Sequence, residues 1–68
     1  MITSIKEPDG SKTIIATHEY SIGTYVIINY NPTQQFGVNM PEKEYHNKIR
    51  TDAIKRGAEV LPDSTPLN

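Results

Sequence analysis

The chain has no cysteine, no tryptophan, a single phenylalanine and almost no net charge. Each shortage excludes something. Without cysteine there is no disulfide and no thiolate zinc site. Two histidines, His18 and His46, are too few for a structural metal site built on imidazole alone. A net charge of −1 gives no global field toward nucleic acid or membrane. No apolar stretch approaches the ~20 residues of a membrane span. The N-terminus lacks the basic segment and apolar run of a secretory leader. Asn31-Pro32-Thr33 fails as a glycosylation site because proline occupies its middle position. Phosphate-loop and nucleophile motifs are missing, and the four glycines are isolated. The chain is therefore expected to be a cytosolic non-enzyme with no cofactor and no metal. Beginning at Met1 without a tag, it reads as a complete short reading frame.

What is present describes a small α+β domain. Sixty-eight residues make one domain, which buries only ~60% of its unfolded surface. Small folds without disulfides or metals often lean on a partner subunit. Residues 2–7 form a modest strand candidate, closed by the turn chemistry of Pro8-Asp9-Gly10. Lys12–Tyr20 is a stronger strand, and 24–30 the strongest, because all but Asn29 are β-branched or aromatic. Ser21-Ile22-Gly23 reads as a hairpin connection. Asn31-Pro32-Thr33 reads as a turn. Phe36, Val38 and Met40 then alternate with Gly37 and Asn39, so 34–40 is a candidate fourth strand, with a plain loop as the competing reading.

The helix is sharply marked. Pro41 suits the first helical position, and Met40 before it is pushed toward extended backbone. Glu42 and Glu44 favour the positive end, Lys55 and Arg56 the negative end, and Gly57 the stop. Glu44–Lys48, Lys48–Asp52 and Asp52–Arg56 are opposite-charge pairs at i,i+4. Tyr45, Ile49 and Ala53 form a narrow apolar stripe with Ile54 beyond it. The reading is an antiparallel meander of three or four strands with one C-terminal helix on one face. It spans residues 1–60 and is followed by a flexible tail at 61–68.

Alternation places Val26, Ile28 and Tyr30 on one face of the third strand and Tyr25 and Ile27 on the other. Both faces are apolar, yet one helix covers one face. The uncovered face is expected to meet a partner, and an exposed edge strand offers a second route. The expected function is a small protein-binding or regulatory module that occupies a partner surface or self-associates, as an accessory phage or bacterial inhibitor would. Tyr25, Ile27, Tyr30 and Phe36 are the expected apolar contacts, with Lys43 and Arg50 as polar ones. The alternative is a nucleic-acid-binding domain. The helix holds five of the seven bases, Lys43, Lys48, Arg50, Lys55 and Arg56, although interleaved acids cut its charge to +2. The sheet adds Lys6 and Lys12. The outline is similar in topology alone to the three-stranded DNA-binding domains at the N-termini of phage-type integrases, with no corresponding motif residue. A third reading is a structural homo-oligomer subunit. His18 and His46 are expected to be structural or surface residues.

Overall fold

A computed structural model describes residues 1–29 and 33–62. Tyr30, the first two residues of the expected Asn31-Pro32-Thr33 turn, and tail residues 63–68 lie outside the described residues. The chain forms β1 (Ile2–Lys6), β2 (Lys12–Tyr20), β3 (Gly23–Ile28), β4 (Gln34–Val38), α1 (Glu42–Lys55) and β5 (Glu59–Val60). The five strands make one antiparallel sheet in the order β4-β3-β2-β1-β5. The expected α+β meander with one helix is therefore present, and its fourth strand is real. The sheet has one strand more than expected, because two residues are too short for any alternation pattern to mark them.

Specific contacts set several of the joins. Ser21 and Ile22 lie between Tyr20 and Gly23, which pair across the hairpin. Gly23 has φ +148°, and a Cβ there would lie 2.4 Å from the Val38 carbonyl oxygen, so β4 closes on β3 only over a glycine. Pro41 sits one position earlier than expected, as the extended cap residue with ψ 147° rather than in the first turn. Its side chain accepts no helix hydrogen bond. Instead, the Glu42 N–H donates to Glu19 Oε2 at 2.9 Å, so a carboxylate from β2 caps the helix from outside. At the other end, Gly57 at φ +83° is the left-handed stop residue. Its N–H donates to the Ile54 carbonyl, and the Ala58 N–H to the Ala53 carbonyl. This six-to-one and five-to-two pair of bonds is a Schellman stop. It aims the chain at the free edge of β1, where β5 pairs and the Leu61 N–H donates to the Ser4 carbonyl.

Paired residues share a face, so the register divides the sheet. Thr3, Ile5, Ile15, Thr17, Thr24, Val26, Ile28, Phe36 and Val60 face the helix side. Ile2, Ser4, Lys6, Lys12, Ile14, Ala16, His18, Tyr20, Tyr25, Ile27, Gln35 and Gly37 face the other. The core lies between helix and sheet: Ile5, Ile15, Val26, Tyr45 and Ala53 are buried, with Ile28, Val38, Met40, Ile49, Ala58 and Val60 packed around them. No helix of the described residues is long and apolar enough to cross a membrane.

Candidate nucleic-acid interface

Two polar features could carry function, one buried and one open. The buried one centres on His46, which has no exposed surface. Its Nδ1 lies 2.6 Å from Thr3 Oγ1 and its Nε2 2.7 Å from Thr17 Oγ1. Neighbours assign the protons. Thr17 Oγ1 has one proton and donates it to Glu42 Oε2 at 2.8 Å, so it accepts from Nε2–H. Arg50 Nε donates to Thr3 Oγ1 at 3.3 Å, which leaves the Thr3 proton for Nδ1. A directional relay thus runs from the Arg50 cation through Thr3, a neutral His46 and Thr17 to the Glu42 anion. Burial, then the nearby N-terminal amine and Arg50, push the His46 pKa down to about 4, against an opposing pull from Glu42. Both ring nitrogens are occupied, so His46 has none to offer a ligand. Its role is to join the helix to β1 and β2 through satisfied polar contacts.

The open feature is on the far face of the sheet. His18 and Tyr20 from β2 and Tyr25 from β3 stand together there. The ring centroids of His18 and Tyr20 are 5.0 Å apart, those of Tyr20 and Tyr25 6.4 Å, and both pairs meet edge to face. The Tyr25 hydroxyl donates to Gln35 Oε1 on β4. Tyr20 is 53% exposed, and the neighbouring Ile22 at the hairpin tip 86%. Among the described residues, no element lies over this cluster. A groove of about 300 Å³ runs beside it, between the Tyr20–Ile22 tip and the Gly37–Asn39 end of β4. At the other end of the same face Lys6 and Lys12 stand directly opposite each other, with Glu59 beyond Lys6. Lys12 and Tyr20 are eight residue steps apart along β2, about 26 Å.

The six expected contact residues do not form one surface. Tyr25 and Ile27 share the open face, half-buried by their neighbours. Phe36 pairs with Val26 and so lies on the helix side, at the β4 edge, 38% exposed. Lys43 is exposed on the helix, while Arg50 is half-buried against Thr3. Tyr30 is outside the described residues. Arg56 forks onto Glu7, with Nε and Nη2 donating at 3.0 and 2.9 Å. That pairing holds the Glu7 carboxyl below its ordinary range. Two of the five helix bases are thus engaged within the fold. The exposed ring missing from the sequence reading is Tyr20. Its signal was position: it ends β2 on the same face as His18, two residues away. No group of three or more His, Asp or Glu that could hold a metal occurs among the described residues.

No family model matches the chain, and no solved structure does. Among curated proteins it is similar to the large ribosomal subunit protein eL21 of Sulfolobus acidocaldarius, with 39% identity over 46 residues. The match takes in 68% of this chain and 43% of the relative, so the chain spans less than half of that protein.

Proposed function

We propose that this chain is a small RNA-binding module that works by contact alone, with the open sheet face as its surface. The observation that carries the reading is the His18–Tyr20–Tyr25 cluster on the face away from the helix, with His18 and Tyr20 exposed. Exposed aromatic rings on a sheet are a platform for bases, which every nucleotide supplies. The similarity to a protein of the large ribosomal subunit, an assembly organised on RNA, favours this reading over an inhibitor that occupies a partner protein. Lys6 and Lys12 lie on that same face, with Glu59 opposite Lys6, while on the helix the bases alternate with acids and Arg56 and Arg50 donate to Glu7 and Thr3. The protein-partner reading keeps one observation, the edge strand β4, whose residues 34–37 are all exposed.

Salt dependence separates the two readings. Binding to an RNA fragment, followed by fluorescence anisotropy from low to moderate salt, should weaken with a log–log slope of about −0.7 per phosphate contacted. Lys6→Ala and Lys12→Ala should each flatten that slope by about the same amount. Binding unaffected by salt and by both substitutions, or no binding, would overturn the reading.

A further inference from the structure

We infer that the groove beside Tyr20 takes a single unpaired RNA base, laid over the bare backbone of β4 at Gly37 and stacked on Tyr20. This rests on the RNA reading and specifies its ligand. The floor of the groove is unusually open. Gly37 pairs with Tyr25 across the sheet, a position where an aromatic ring often folds over the glycine. Here it does not. A Cβ built on Gly37 would meet nothing nearer than the Thr24 carbonyl oxygen, at 4.0 Å. The Tyr25 ring is engaged instead with Tyr20 and Gln35. A patch of bare peptide is left beside a half-exposed ring.

The walls suit a flat heterocycle. Ile22 gives apolar contact, and Asn39 gives an amide that can pair with a base edge. Tyr20 meets His18 and Tyr25 edge to face and is still 53% exposed, so ring surface remains open to a third, stacking ring. Paired bases are already stacked inside a duplex and cannot enter such a groove; bases in loops and single strands can be splayed out. Charge points the same way. With a net charge of −1 the molecule cannot rely on a broad electrostatic footprint, so stacking must carry much of the affinity. The 26 Å or so from Tyr20 to Lys12 matches a short tract of a few nucleotides, with its backbone continuing toward Lys12 and Lys6.

The test uses the full chain and an unstructured RNA heptamer carrying 2-aminopurine, with a fully paired hairpin as comparison. The heptamer should bind more tightly than the hairpin, and its fluorescence should change on binding as the base stacks on Tyr20. Tyr20→Ala should lower affinity for the heptamer on the order of ten-fold or more, while Tyr20→Phe should retain it. Gly37→Val, where there is room for a Cβ and valine suits a strand, should abolish the fluorescence change with the circular dichroism spectrum intact. If that variant fails to fold, the Tyr20→Ala and Tyr20→Phe pair decides. Equal binding of hairpin and heptamer, indifferent to both Tyr20 substitutions, overturns the base-stacking inference and leaves the RNA reading standing. Failure to bind either RNA overturns both.

Discussion

His46 shows how much one residue can be asked to do in a core this small. It sits at the helix–sheet interface, where an apolar side chain would be the simpler choice, and it is tolerable because each ring nitrogen finds a threonine hydroxyl. Removing it should leave both a cavity and a Thr3 hydroxyl proton with no imidazole to accept it. His46→Ala is expected to cost about 2–4 kcal/mol in urea unfolding, a large share of the stability of a 68-residue domain. Its titration has a definite sign. In the unfolded chain it takes a proton near pH 6.5; in the folded chain it does so only near 4. Between those values the unfolded state binds the extra proton. Stability present above pH 6.5 is therefore lost as pH falls, by roughly 3 kcal/mol over the whole window. Unfolding free energies measured from pH 7 to pH 5, above the carboxylate range, should show this slope. His46→Gln should remove it; an unchanged slope would place the proton elsewhere.

At the scale of elements, the helix was legible because its signals are local. Pro41 before it, acids in its first turn and Gly57 after it all belong to neighbouring sequence. The cap was not legible, because Glu19 reaches the helix N-terminus from 23 residues away. Glu19→Ala should cost about 1 kcal/mol, the usual worth of a cap, measured by thermal melting. Gly57→Ala should cost about as much, because alanine is strained at φ +83°. A neutral result at Gly57 would mean that the Schellman stop is not what directs the chain into β5. That strand escaped the sequence for the same reason as the cap: its identity comes from β1 and the Leu61–Ser4 bond, not from its own two residues.

At the scale of the molecule, the sequence showed that the third strand is apolar on both sides but not which side the helix would take. The register settles it. Val26 has no exposed surface, while Tyr25 and Ile27 face away from the helix. Of the expected contacts, those two therefore join a common surface with His18 and Tyr20, and Phe36, Lys43 and Arg50 do not. Convergence of side chains from different strands is a tertiary property, and no spacing in this chain encodes it. The most direct test of the RNA reading is a titration of the isotope-labelled chain with an unstructured RNA oligomer, followed by amide chemical shifts. The account predicts that the largest changes fall on His18, Tyr20, Tyr25, Gln35 and Gly37, with Lys43, Lys48 and Lys55 on the helix left almost unmoved. Changes centred on the helix lysines, or none on the open face at saturating RNA, would contradict it.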